Sequence, residues 1–380
     1  MNPTAFSPSA PGRMLHTPSG YWAYVPNPLP PEINWSGELI GLLSKADREL
    51  AHLAQIGQTF PNPHVMVKSF VRREAVLSSR IEGTRTTLRE LYRHEASQLS
   101  FLEPGSDTQE VQNYVRALEY GLERLETLPV SLRLMRELHQ RLMDGVRGDF
   151  WTPGEFRRSQ NWIGVPGATI ETATYVPPPV DEMHTCLGQL ESFIHTPSEY
   201  PPLIRLGLVH YQFEAIHPFL DGNGRVGRLL VSLLLCTWGL LPQPLLYLSA
   251  YFEAQRSEYY RHLLAVSQKG DWENWLLYFL NGVAEQAHEA RMRVAALDKL
   301  RSTYQDRLRG ERSRKRLLQA LDFLFGQPII SVRLLQAGLG VGSYLTAQRV
   351  VEKLEQYGIL REITGQDRNR VYQADEILHA

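Results

Sequence analysis

The sequence predicts a mainly helical fold: an all-α core broken by one short β-hairpin, a helical region before it, and a small C-terminal α+β domain of winged-helix order. Three observations predict this. Apolar residues recur near a 3.6 period through most of 37–307. One stretch, 148–179, is instead rich in Gly, Pro and Thr and holds two short β-forming runs. Beyond residue 311, three helical patterns give way to two strand patterns around Gly365-Gln366-Asp367-Arg368-Asn369.

The 380 residues suffice for two or three domains. A 43% hydrophobic and 21% charged composition is that of a soluble globular chain. The net charge of −1 gives no general attraction to nucleic acid or to an anionic membrane. Cys186 and Cys236 make no disulfide framework and read as reduced core residues. No charged-then-apolar leader opens the sequence. The most apolar run, Val226 to Leu241, is shorter than the ~20 residues of a membrane span and contains Arg228. The expectation is a cytoplasmic protein with no membrane partner.

Residues 1–36, rich in Pro, Ser and Asn, predict an irregular arm with Tyr21, Trp22 and Tyr24 against the body. Residues 37–108 read as a helical N-terminal region. Its first helix spans 37–57, with Leu39, Leu42, Leu43, Ala46, Leu50 and Leu53 inward. Its second runs from about Pro63, capped by Asn62, to Glu82, where Gly83 stops it. A third covers 87–98. After a break at Glu103-Pro104-Gly105-Ser106-Asp107, the core (109–307) takes helices at 109–127, 132–143 and 181–195. Trp162-Ile163 and Thr174-Tyr175-Val176 form the two hairpin arms. Pro201-Pro202 opens a helix that Pro218 ends, and a buried helix starts near Gly224. Further helices fall at 249–268 and 271–307. The last domain, 311–380, has helices at 312–325, 331–337 and 343–357, then strands within 361–373.

Chemistry concentrates in His217-Pro218-Phe219-Leu220-Asp221-Gly222-Asn223-Gly224-Arg225-Val226-Gly227-Arg228. Gly222-Asn223-Gly224 between two helices is a turn of backbone donors at a helix N-terminus, which is an anion site. Arg225 and Arg228 lie three apart and add forks for phosphate oxygens. Asp221 offers a hard oxygen for Mg²⁺ bridging phosphates. His217, with an ordinary value near ~6.5, suits a general base at neutral pH. Two other patterns fit less well. Gly222-x-Gly224-x-x-Gly227 matches a dinucleotide fingerprint but follows a helix instead of a strand. Glu214-x-x-His217 and Glu285-x-x-His288 match a di-iron bundle but leave the glycine-rich turn unexplained.

The same stretch resembles the Fic signature, His-x-Phe-x-Asp/Glu-Gly-Asn-Gly-Arg-x-x-Arg, at every specified position, and about 109–286 resembles the Fic core. The resemblance implies an all-α Fic core with the hairpin as a flap. It implies transfer of AMP from ATP to a protein Ser, Thr or Tyr hydroxyl, with release of pyrophosphate. It makes His217 the base and Asp221 the Mg²⁺ ligand. Gly222, Asn223 and Gly224 become an amide cradle, Asn223 adding its side chain, with Val226 and Gly227 in the same nucleotide-binding turn. Arg225 and Arg228 would hold the β- and γ-phosphates, and Phe219 would anchor the loop in the core. Residues 160–175 would align the protein target as an added strand, with Ile163 and Gly164 nearest the nucleotide. Tyr259-Tyr260 resembles a tyrosine pair near the adenine.

Ser78-Ser79-Arg80-Ile81-Glu82-Gly83 resembles the family's inhibitory helix. By that resemblance Glu82 pairs with Arg228 and keeps the γ-phosphate from seating, while Ser78 holds the helix end. The reading is an autoinhibited protein adenylyltransferase, with self-modification as one outlet. The alternative is a nucleotide-sensing winged-helix regulator, transcriptional or interacting, without transferase activity. In the C-terminal domain Thr346, Gln348, Arg349 and Lys353 share a helix with Glu352 and Glu355, and Arg361, Arg368 and Arg370 sit in the wing. This modest basic footprint favours a protein partner or homodimer over DNA.

Overall fold

A computed structural model of the chain describes residues 1–59, 63–97, 106–146 and 152–380. The expected Asn62 cap, residues 103–105 of the expected break and the start of the 148–179 stretch lie outside the described residues; the rest of that break, Ser106 and Asp107, already caps and opens a helix. In chain order the elements are β1 (Gly12–His16), β2 (Trp22–Pro26), α1 (Gly37–Thr59), α2 (Pro63–Ile81), α3 (Leu88–Ser97), α4 (Asp107–Arg124), α5 (Leu132–Leu142), α6 (Val180–His195), α7 (Pro202–Ile216) and α8 (Asn223–Thr237). There follow α9 (Ser249–Ala254), α10 (Arg256–Lys269), α11 (Trp272–Arg307), α12 (Arg314–Gly326), β3 (Ile329–Ser331), α13 (Val332–Gly338), α14 (Tyr344–Gln356), β4 (Arg361–Glu362), β5 (Val371–Gln373) and α15 (Asp375–His379).

Helices α7 and α8 form the centre because almost every face of each is buried. α4 and α5 flank α8, α11 flanks α7, and α2 crosses the group, touching α4, α8 and α9. α1 lies along α11. Ser106 caps α4 and Ser131 caps α5 by accepting from Gln109 N and Leu134 N. The expected 249–268 helix is two helices broken at Gln255. Among the described residues no helix is long and apolar enough to cross a membrane. Both cysteines are free, Cys186 buried and Cys236 half-buried.

The N-terminal arm is not irregular. β1 and β2 pair antiparallel in register from Gly12↔Pro26 to His16↔Trp22. The sequence carried the signal: β-forming Trp22-Ala23-Tyr24-Val25 follows a Pro18-Ser19-Gly20 turn, with Gly20 at φ +86°. Tyr24 is fully buried, and its amide donates to Val176 O at 2.9 Å, so the arm is welded to the core.

Residues 314–379 form a unit with its own core, built on Leu317, Leu321, Leu335, Val351 and Leu354 and completed by Leu297 and Tyr304 of α11. Its sheet runs β3-β5-β4, all antiparallel. The strands at 361–373 lie where the spacing placed them. β3 was not expected, and it completes the sheet. The unit rests on the N-terminal region: α12 packs on α2 and β3 on α3, through Tyr92, Ala96, Ile329 and Val371.

Candidate active site

α7 ends at His217, whose amide closes on Phe213 O at 3.0 Å. His217 itself is left-handed at φ +50° and ψ +60°, an uncommon place for a residue with a Cβ. Its Nδ1 lies 3.3 Å from Glu214 O, an acceptor, so Nδ1 carries the proton and Nε2 keeps the free lone pair. Burial lowers the ring to about 4, the Arg157 charge adds to this, and the Glu214 bond and the charges of Glu82 and Asp221 oppose it. The imidazole is neutral at pH 7.

Gly222, at φ +76°, opens α8. Of the first-turn amides, that of Gly222 goes to Asp221 Oδ1 at 2.6 Å. Those of Asn223, Gly224 and Arg225 have no acceptor within the helix. Asp221 keeps Oδ2 open on a half-exposed side chain, 3.6 Å from Arg225 Nη2. One open carboxylate oxygen beside unpaired amides fits an Mg²⁺ ion shared with phosphate oxygens. Among the described residues no three His, Cys, Asp or Glu side chains converge, so the two Glu-x-x-His pairs build no metal cluster.

Arg228 is 2% exposed and is gripped through Nε and Nη2 by the end of α2. Its Nε donates to Ser78 Oγ at 2.8 Å, and its Nη2 to Ser78 O at 3.0 Å and to Glu82 Oε1 at 2.6 Å. Gly83, at φ +106°, ends the helix there. Burial pushes the Glu82 carboxyl up, but Arg228 outweighs this and holds it below its ordinary value. A carboxylate at the C-terminus of α2 is disfavoured by that helix dipole, yet here it faces the N-terminus of α8. A Cβ on Gly224 would stand 2.4 Å from Glu82 Oε1. The carboxylate therefore lies against the first turn of α8, where the amides of 223–225 have no acceptor within the helix.

Several expected roles change. Arg225 is buried; its Nη1 donates to Glu110 Oε2 of α4 at 2.9 Å, and its Nη2 lies 3.7 Å from Met143 Sδ. Asn223 Oδ1 accepts from Phe219 N and its Nδ2 donates to Phe219 O, both at 2.8 Å, which leaves only its amide for an anion. Val226 is buried, its amide bound to Gly222 O. Gly227 lets α7 approach, since a Cβ there would meet Glu214 Oε1 at 2.4 Å and the Phe213 ring at 3.2 Å. Ser78 grips Arg228 instead of fastening its own helix. Tyr259 is a core residue whose hydroxyl shares a 2.8 Å bond with His210 Nε2, while Tyr260 is exposed beside Arg256. Phe219 is fully buried and stacks on His139 at 3.9 Å. Ile163 bridges Tyr175 through bonds of 2.8 and 3.0 Å, and Gly164 follows it on the exposed tip with Trp162 and Val165.

Two family models match the chain: the Fic/DOC family N-terminal region over residues 40–123 and the Fic/DOC family over residues 129–235. The chain belongs to the Fic/DOC family. It is 33% identical over 151 residues to the protein adenylyltransferase Fic of Drosophila willistoni, a match covering 39% of this chain and 26% of that protein. The Drosophila virilis protein of the same name is 33% identical over 149 residues, covering 39% and 27%. The chain thus spans about a quarter of the length of these curated relatives. The fold is similar to that of a Fic family protein from Desulfovibrio desulfuricans G20, with a TM-score of 0.57 and 19% identity over 91% of this chain and 98% of that one.

Three further groups shape this Fic site; the sequence marked Glu214 only through the Glu214-x-x-His217 spacing, and His139 and Glu74 not at all. His139 takes Gly154 N on Nδ1 at 2.9 Å, so its Nε2 donates to Asp221 O at 3.1 Å and steadies the carboxylate loop. Glu74, buried behind Arg228, accepts from Tyr114, Ser249 N and Ser249 Oγ. Glu214 has a buried Oε1 with no hydrogen bond, and burial pushes its carboxyl up to about 7 against the pull of Arg228. All three belong to segments far apart in sequence or to unremarkable helical positions.

Proposed function

We propose that this Fic protein is an autoinhibited protein adenylyltransferase that moves AMP from ATP to a Ser, Thr or Tyr hydroxyl. His217 Nε2 takes the hydroxyl proton as that oxygen attacks the α-phosphorus. The bond from the α-phosphorus to the bridging oxygen breaks, and pyrophosphate leaves. Asp221 would hold Mg²⁺, which supplies charge neutralisation on the phosphates. The amides of Asn223, Gly224 and Arg225 take phosphate oxygens, and Arg228 takes the γ-phosphate once Glu82 has left. The target's backbone adds to the Ile163 edge of the flap. Apolar Trp162, Ile163 and Val165, exposed there, suit a protein surface.

The observation that carries this reading is the seat of Glu82. A carboxylate pairs with Arg228 against Gly224, and on this reading it takes the place a terminal phosphate would need. At ~4 Å and an effective dielectric near 20, such a pair is worth on the order of 4 kcal/mol before desolvation. An exposed pair would give about 0–1 kcal/mol, and about 1.4 kcal/mol is tenfold. Only a pair as sheltered as this one suppresses transfer by about a hundredfold or more. A regulator that merely sensed nucleotide would need no base, and a neutral His217 with a free Nε2 favours transfer.

The test uses ATP, GTP, UTP and CTP labelled at the α-phosphate, with intact-mass analysis. Glu82→Gly should raise labelling of itself or of lysate proteins, and His217→Ala on that background should abolish it. Equal labelling by wild type, Glu82→Gly and the double variant sinks the assignment. For residues 314–379 we propose a winged-helix module that contacts protein, since Tyr344 and Leu345 stand exposed at the start of α14. Tight duplex DNA binding whose affinity falls steeply with salt would instead make it a DNA reader.

A further inference from the structure

Arg157 lies between α5 and the flap and is 1% exposed. Its guanidinium ends on backbone carbonyls: Nε on His217 O at 3.0 Å, Nη1 on Ser159 O at 3.4 Å and Nη2 on Pro178 O at 2.5 Å. Its own amide donates to Pro218 O at 2.9 Å. Asn161 adds Nδ2 bonds to His217 O at 3.2 Å and to Phe219 O at 2.8 Å. Every carbonyl from 217 to 219 is thus held by the 157–161 segment. Burial lowers Arg157 only to about 10, so the charge persists at neutral pH. Burying a guanidinium away from water is costly, and a chain carries such a group where it has work to do.

The work is at His217. A left-handed residue with a Cβ is strained and persists only where its surroundings over-determine it. We propose that Arg157 and Asn161 are positioning residues for the general base. By fixing the His217 carbonyl they hold the left-handed turn that sends Nδ1 to Glu214 O and leaves Nε2 for the incoming hydroxyl. The same segment runs directly into Trp162-Ile163, the flap arm on which the target strand would lie. Gln160 Nε2 ties that arm to Pro177 O at 3.0 Å. One splint therefore sets both the base and the rail that delivers the hydroxyl to it, which is the alignment a proton-coupled attack needs. The Arg157 cation also disfavours the imidazolium. The other charges facing His217 are Glu82 from α2 and Asp221 from the loop, and both act the opposite way.

This inference rests on the transferase reading, so the test runs on the Glu82→Gly background and carries a readout that needs no transfer. Arg157→Met and Asn161→Ala should each lower kcat about tenfold or more while KM for ATP stays within about twofold, because the donors of both side chains are spent on backbone carbonyls. Arg157→Lys, which keeps the charge, should recover part of the loss. The His217 imidazole, followed by NMR in the absence of substrate, should titrate higher in Arg157→Met and be unmoved in Asn161→Ala. An Arg157→Met protein with unchanged kcat and an unmoved His217 overturns the proposal. So do losses that track the folded fraction alone in all variants. If Arg157→Met fails to fold, Arg157→Lys and Asn161→Ala decide by kcat against KM. If Glu82→Gly transfers nothing, the transferase reading falls, and the NMR titration still judges the positioning role.

Discussion

At the scale of single residues, two ionisations govern the site. Burial lowers His217 to about 4, far under the ~6.5 of a free imidazole. A lowered histidine is neutral, and competent as a base, at every pH above its own value. In the Glu82→Gly protein kcat/KM, which reports the free enzyme, should therefore stay level from about pH 8 down to about pH 5. A fall centred near 6.5 would mean that a solvated group is the base. The second ionisation is that of Arg228, which burial would lower but which Glu82 foremost keeps charged. Removing Glu82 leaves that guanidinium hydrogen-bonded to Ser78 but without its directly paired carboxylate, with Glu214 acting only through its charge. The variant should lose stability, by less than the ~3–5 kcal/mol of a fully buried pair because Glu82 is itself partly exposed. Mg-ATP should then raise its melting temperature more than it raises that of wild type, since phosphate supplies the missing counter-charge. Equal shifts would place the nucleotide elsewhere.

At the scale of elements, α2 grips Arg228 through residues one helical turn apart, Ser78 and Glu82. Ser78→Ala strands the buried Nε and should cost about 1–3 kcal/mol in chemical denaturation. It should also raise basal transfer, though less than Glu82→Gly; a variant as active as Glu82→Gly would show that Ser78 is the main restraint. The four-residue spacing of this pair and the Gly83 stop were legible in the sequence, because helical periodicity tells which residues share a face. Periodicity does not tell what the face meets. Glu110, which captures Arg225, and His139, which steadies Asp221, come from α4 and α5 and could be placed only by tertiary packing. The N-terminal hairpin was misread for a different reason. Its flanking prolines and serines outweighed a five-residue strand in any compositional window, whereas burial of Tyr24 decided the matter.

At the scale of the whole molecule, the order of the long helices was readable, while β1, β2, β3 and the joins between regions were not. α2 and α3 carry no mark that they seat the C-terminal unit. Yet Gly326 comes so close to Val65 that a Cβ would stand 2.8 Å from its carbonyl, and Gln327 Nε2 reaches Tyr92 O at 3.4 Å. Tyr92, 1% exposed, fills the seam. Tyr92→Ala should cost about 3–5 kcal/mol and shift the denaturation midpoint of the Fic core and the C-terminal unit together. A core midpoint that ignores this change would make the C-terminal unit an independent bead.

Gly224 has a consequence for how this protein can vary. Any side chain there would evict Glu82, but it would also stand where the proposed phosphate must lie. On the proposed reading, mutation therefore has a one-way route to hyperactivity. Single-codon changes that release the site should fall on the end of α2, at Ser78 and Glu82, and on the groups that back them. Changes to His217, Asp221 or the 222–225 turn should silence it whether or not they break the Glu82 contact. In a random library screened for gain of labelling, survivors should cluster some 140 residues before the motif that does the chemistry.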